Sequence, residues 1–436
     1  MHDFITDKRF EGLSPLAARA HLASPTMHDG AEMKYMQLAY DSGWMTTVGE
    51  NIDAIEETVA SYMGVKRAVA LVNGTAAIHL AVKLAALKLY NTSTGVNTPA
   101  GRGAGGALLG KRVFCTDMTF DASVNPIVYE GGEPVFIDAE EETWNMDPKA
   151  LEKAFSLYPD VKLVVFVHLY GIPGKVEEIK KICEAHGALL IEDAAESLGA
   201  MIGDRPTGSF GDYGIISFNG NKIITGSAGG MLLTDDEEAA DRARKWSTQS
   251  REDAPWYEHE ELGYNYRISN VIAGAIRGQW DFLDDHIAAK KAISDRYRKG
   301  LAGLPLTIQA GGNDWLSCAL IDEDAMEETA RSDREAVYRI EEGKSCPTEI
   351  LEALNAFNAE GRPIWKPMHL QPIYRDHEFI TVYGSTRGSS NAYIKSEQHA
   401  GVTTDIFRRG LCLPSDIKMT KEQQELIIEV IRRCFR

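Results

Sequence analysis

A chain of 436 residues, 44% hydrophobic, 25% charged and 8% aromatic, has a globular composition and is too long for one ordinary core, so a large domain with a smaller companion is expected. A net charge of −18 disfavours nucleic acid as a partner and leaves room only for a local basic pocket that takes a phosphorylated small molecule. No apolar run reaches the roughly 18 residues of a membrane helix, and MHDFITDKRF has no apolar signal core, so no membrane association and a cytoplasmic location are expected. Six cysteines without CxxC spacing argue against a metal site or a disulfide framework and for reduced thiols.

In chain order, residues 1–24 form an N-terminal segment. From about Asn51 to Lys88, AIEETVASYMG, AVALVNG and TAAIHLAVKLAALKL read as helix, strand and helix, the opening βα unit of a parallel sheet. The Gly-, Ser- and Thr-rich stretch near 91–110 has no periodicity and reads as a surface insertion. RVFCTD, EPVFID, KLVVFVHLYG, ALLIEDAAES, DYGIISFNG and GGMLLTDD are short apolar strands, with helices PKALEKAF and KVEEIKKICEAHG between them. Alternating strands and helices predict a doubly wound α/β layer, with ligands at the carboxyl ends of the strands. A large domain is placed over 25–285 and a small C-terminal domain over 286–436. The charged segment 322–344 is expected to hold a surface helix, and KEQQELIIEVIRRCF to close the chain as another.

The polar residues that follow these strands bring chemistry into view. Lys222, in SFNGNK, has the sequence context of a solvated surface lysine when taken alone. Asp193 ends an apolar strand, as a helix cap, a salt-bridge partner or the partner of a protonated ring nitrogen. In VNGTAAIHL the backbone N–H groups of Gly74, Thr75 and Ala76 either cap a helix or receive a phosphate at its N-terminus. Phe120, in DMTFDASVNP, is a core aromatic or a ring stacked on a ligand.

Taken together, NGTAAIHLA, TFDASVNPI, VHLYG, IEDAAESLGA, GSFGDYGIISFNGNKIITGSAGGML, LGYNYRISN, PIWKPMH and GLCLPS resemble the DegT/StrS-type nucleotide-sugar aminotransferases from roughly Ser24 to Pro414. The resemblance implies fold type I of the pyridoxal 5'-phosphate (PLP) enzymes, with a mostly parallel mixed sheet and a smaller α+β domain. It implies Lys222 as the Schiff-base lysine, Asp193 on the pyridine nitrogen, Glu196 near the ring and Phe120 stacked on it. Ser217 and Asn219 also belong to the cofactor site, Ser217 holding the phosphate with Gly74, Thr75 and Ala76. Asn265 would reach a partner's cofactor phosphate, implying a homodimer with shared sites. Trp44, Arg267, Trp365 and His369 are candidate substrate contacts, although the tryptophans also suit packing and the histidine a structural role.

The implied reaction is ping-pong transfer of an amino group from L-glutamate to the keto group, at C4, of a nucleotide-linked deoxy-sugar. NGNK, PIWKPMH and GLCLPS are similar to the subgroup acting on UDP-2-acetamido-2,6-dideoxy-4-keto-hexoses. Asn219 replaces a frequent His, GSAGG replaces GEGG, and Glu196 stands where Gln is common. A 3-keto or a dTDP- or GDP-linked substrate is the alternative, and a regulatory homologue without turnover is a further one. A related dehydratase carries His in place of the lysine, so Lys222 argues against it.

Overall fold

The computed structural model describes residues 2–90, 106–309, 311–327, 330–331, 336–387 and 401–436. Most of the insertion expected near 91–110 lies outside the described residues. Among the described residues, one large sheet has the strand order Arg67–Leu71, Gly230–Thr234, Tyr213–Ser217, Leu189–Asp193, Leu163–Val167, Arg112–Thr116, Glu133–Ile137, Glu378–Thr381, Gly384–Arg387. The strands from Tyr213–Ser217 to Glu378–Thr381 pair in parallel. Gly230–Thr234 is antiparallel to both of its neighbours, so Arg67–Leu71 points with the parallel set but bonds to a reversed strand.

The short apolar runs form strands because both faces of the sheet are covered. Side chains alternate between two layers with the period of two that a pleat imposes. Val113, Cys115, Leu163, Val165, Ile191 and Ile215 share a core with helix Gly74–Tyr90. Their neighbours Phe114, Val164, Phe166 and Leu190 pack with helices Pro148–Leu157 and Val176–Ala185. Helix Gly74–Tyr90 is buried throughout 76–86, which explains its run of alanine and leucine; its buried polar pair His79 and Lys83 both bond Glu130, at 2.7 and 2.8 Å.

The C-terminal part adds a sheet in the order Leu306–Gln309, Ser317–Ile321, Gly410–Leu413, Arg362–Pro363. Helices Leu283–Gly300, Pro347–Ala356 and Lys421–Cys434 contribute to its core. The last of these starts at a capping box between Thr420 and Gln423.

Three expectations change. The cut at 285 is not clean, because helix Leu283–Gly300 runs through it and the hairpin Glu378–Thr381/Gly384–Arg387 extends the large sheet. Residues 1–24 do not stand apart: Phe4, Phe10 and Ala20 are buried in the C-terminal core. Within 322–344 the described residues form a 3-10 turn, Glu323–Ala325, and a ladder of Ala330–Arg331 on Ala336–Val337 instead of the expected helix.

Candidate active site

The carboxyl ends of the central strands open into one cavity of about 750 Å³, within the range of small-molecule sites. Its wall takes Asn73, Gly74 and Thr75 from the first strand–helix turn, and Thr119, Phe120 and Ser123 from the next. Val167, Asp193, Glu196, Ser217, Asn219 and Lys222 complete that side, while Trp315, Arg362, Trp365, Lys366 and Phe407 come from the C-terminal part. Nine of the fourteen residues singled out in the sequence as cofactor or substrate contacts line it, eight of them on the large-sheet side and Trp365 opposite.

Lys222 sits in a tight turn, its N–H bonded to the Asn219 carbonyl at 3.0 Å, and its Nζ lies 3.4 Å from Glu196 Oε1. Glu196 is buried, and its Oε2 accepts the Tyr170 N–H at 2.7 Å. Burial pushes its carboxyl up to about 7, with the Lys222 charge and the Tyr170 N–H working in the opposite direction. Asp193 Oδ2 accepts from Ser123 Oγ at 2.7 Å and Oδ1 from the Ala195 N–H at 3.0 Å. Burial also raises the Asp193 carboxyl above its ordinary value, against the Ser123 and Ala195 bonds.

These residues fit PLP. Asp193 is a buried acid whose two hydrogen-bond partners are neutral donors, so a cationic ring N–H would stabilise its charge. A Cβ on Gly74 would stand 3.3 Å from Ser217 Cβ and 3.6 Å from its hydroxyl, so glycine keeps the cradle between that hydroxyl and the helix start open. Asn219 adds to it through its N–H, 3.3 Å from Ser217 Oγ. An anion here meets a helix N-terminus and a hydroxyl together.

Five expected contacts are placed elsewhere. The Ala76 N–H is taken by Asn73 Oδ1 at 2.8 Å, because Asn73 caps the helix, and this leaves Gly74 and Thr75 on the cavity wall. Arg267 is buried in an ion pair with Glu56 and donates to the Ala70 carbonyl at 2.9 Å; it ties an arm to the first strand and is not part of this cavity's wall. His369 is buried too, with Nδ1 at 2.7 Å from Asp117 Oδ2 and its ring stacked on Phe379 at 3.9 Å. Trp44 is exposed and outside the cavity. Asn265 is likewise exposed and outside its own chain's cavity, on a backbone bridge to Thr248.

Other wall residues carried little signal. Asn73 precedes Gly-Thr and was readable as a cap, and Ser123 lies inside TFDASVNP. Lys366 lies inside PIWKPMH, whereas Trp315, Arg362 and Phe407 are brought in by tertiary packing. Trp365 packs against Phe120 at 5.6 Å and Tyr170 at 5.0 Å between ring centroids, forming an aromatic rim.

The model of the DegT/DnrJ/EryC1/StrS aminotransferase family matches residues 27–432. The chain is 38% identical to EpsN of Bacillus subtilis (strain 168), assigned as a pyridoxal phosphate-dependent aminotransferase, over 94% of this chain and 95% of that one. It is 32% identical to the GDP-perosamine synthase of Caulobacter vibrioides, over 82% and 87% of the two chains. The solved structure of DesI in the presence of its TDP-sugar product superposes with a TM-score of 0.77 at 24% identity, over 99% of this chain and 96% of that one, which gives the fold as fold type I. The chain therefore belongs to the DegT/DnrJ/EryC1/StrS aminotransferase family and is a PLP-dependent sugar aminotransferase.

Proposed function

We propose that this chain transfers the amino group of L-glutamate to the C4 keto group of a UDP-linked 2-acetamido-2,6-dideoxy-4-keto-hexose by a ping-pong cycle, working as a cytoplasmic homodimer. The observation that carries this reading is Lys222 Nζ beside Glu196, at the same strand ends as the buried Asp193 carboxylate and the Gly74–Ser217 cradle. PLP, when bound, supplies an electron sink that lets an amino group pass from one substrate to the other. The protein supplies position and protons. Lys222 Nζ takes a proton from the reacting carbon and returns it, and Glu196 Oε1, at 3.4 Å, steadies that ammonium. Asp193 receives the ring N–H, while Gly74, Thr75, Ser217 and Asn219 hold the phosphate. Phe120 and Trp365 form an aromatic rim beside it, with ring centroids 5.6 Å apart.

Arg362, which pairs with Glu360 at 2.7 Å, and Lys366 bring two basic side chains to the cavity wall, which suits a nucleotide diphosphate. Asn265, exposed and away from its own cavity, supports the reading in which it serves a second copy. The UDP-sugar assignment rests on the motifs NGNK, PIWKPMH and GLCLPS, of which the first two carry the wall residues Asn219, Lys222, Trp365 and Lys366 and the third forms the buried strand Gly410–Leu413. A second reading, a GDP-linked 4-keto-sugar, is favoured by relatives named GDP-perosamine synthase in Vibrio cholerae and Caulobacter vibrioides, at 30% and 32% identity. Incubation with glutamate and a panel of UDP-, GDP- and dTDP-linked 3-keto and 4-keto sugars decides. Amination of the UDP sugar at C4, read by mass and NMR, is expected; amination of the GDP sugar alone selects the second reading, and no amination of any sugar refutes both.

A further inference from the structure

Trp315 is 2% exposed and yet forms part of the cavity wall. Its ring centroid lies 4.2 Å from Lys222 Nζ, well inside the roughly 6 Å reach of a cation–π contact. Its indole N–H donates to the carbonyl of Asn221, the residue before Lys222, at 2.8 Å. The same tryptophan is anchored through its backbone, since its N–H bonds Asn313 Oδ1 at 2.9 Å. Asn313 is buried, and its Nδ2 donates to the carbonyls of Glu196 and Leu198, each at 2.9 Å. Gly171, at φ +87°, makes room for it: a Cβ there would fall 1.9 Å from Asn313 Oδ1. One connected set of bonds thus joins the turn carrying Glu196 to the turn carrying Lys222, and Trp315 is its link between them.

The Glu196 carboxylate alone is a loose hold on the lysine. Its 3.4 Å separation is long beside the roughly 2.7–2.9 Å of a strong charge-assisted hydrogen bond. The indole face supplies a second attraction to the ammonium, on a side chain that is only 14% exposed.

We propose that Trp315 is a positioning residue for Lys222: its N–H fixes the lysine turn through Asn221, and its ring face holds the ammonium beside Glu196 whenever that lysine is not covalently engaged. This rests on Lys222 being the reacting lysine, and it adds a residue to the site that no motif marks. Trp315→Phe keeps a ring and loses the N–H; Trp315→Leu loses both. In the holoenzyme, kcat of Trp315→Leu is expected to fall by about ten- to a hundredfold and that of Trp315→Phe by severalfold, with KM for both substrates nearly unchanged.

The second readout does not use activity. The full chain without PLP is treated with trinitrobenzenesulfonate, and labelling of the Lys222 peptide is followed by mass spectrometry, with the peptide of exposed Lys34 as internal standard. Lys222 is expected to react several times faster in Trp315→Leu than in the wild type, with Trp315→Phe between them. Wild-type labelling rates at Lys222 in both variants would overturn the proposal. If Trp315→Leu does not fold, the comparison of Trp315→Phe with wild type decides alone. A wild-type chain that turns over no keto-sugar defeats the proposed function, while the labelling comparison still reports on the Trp315 contact.

Discussion

Glu192 and Asp193 are consecutive acids with opposite fates. The pleat turns Glu192 away from the cavity, where it accepts from His168 Nε2 at 2.8 Å and from the N–H groups of Gly208, Phe210 and Gly211. Asp193 turns into the cavity with two neutral donors. Glu196 gives a pH signature. Its carboxyl is raised from the ordinary 4.5 to about 7, so the fold keeps a proton that the unfolded chain has lost between those values, and this group's contribution to stability falls as pH rises through that window. Glu196→Gln is expected to flatten that fall, measured as unfolding free energy in urea at about pH 5 and about pH 8; an unchanged slope contradicts the assignment. Arg267→Ala removes the buried one of two cations on the Glu56 carboxylate, which keeps Arg244 Nη2 at 2.6 Å and the Ala70 N–H at 2.7 Å as partners. We expect a loss of about 3 kcal/mol by urea unfolding, with the visible absorbance of bound PLP retained. The residues legible in the sequence are those whose role is set by near neighbours, as in NGT, DAAES and NGNK. Arg267 and His369 stand off this cavity's wall because they are held by Glu56 and Asp117, 211 and 252 residues away, which a local pattern does not reveal.

At the scale of elements, strands and helices of the large sheet were readable from period and punctuation, because each apolar run is covered on both faces. Pairing was less readable. The reversed strand Gly230–Thr234 and the hairpin that adds Glu378–Thr381 to Glu133–Ile137 are chosen by contacts across the chain, which a local pattern does not encode. The cap at the first strand–helix turn links an element to the chemistry. Asn73→Ala removes the acceptor of the Ala76 N–H and should cost about 1 kcal/mol of stability by urea unfolding. Because the same turn lines the phosphate cradle, that variant should also bind PLP more weakly while binding pyridoxal, which lacks the phosphate, as the wild type does. Equal weakening for both ligands would detach the turn from phosphate binding.

At the scale of the whole molecule, the cavity closes only because the C-terminal part returns to the sheet, bringing Trp315, Trp365 and Phe407 over the strand ends. The charge of −18 describes the surface and says little about this pocket, where Arg362 and Lys366 stand at the rim. The shared-site reading of Asn265 is tested by mixing two inactive chains, Lys222→Ala and Asn265→Ala. If Asn265 serves the partner, a mixed dimer keeps one site with both residues intact, and activity rises above that of either variant alone. No rise, with mixed dimers shown to form, places Asn265 outside the partner's site.

The lysine that carries the cofactor is the residue on which the proposed chemistry depends most. Reduction of the PLP-loaded protein with borohydride, followed by peptide mapping, fixes the cofactor to the lysine that holds it. Its mass on the peptide containing Lys222 is the predicted result; its mass on any other lysine, or on none, would contradict the central claim.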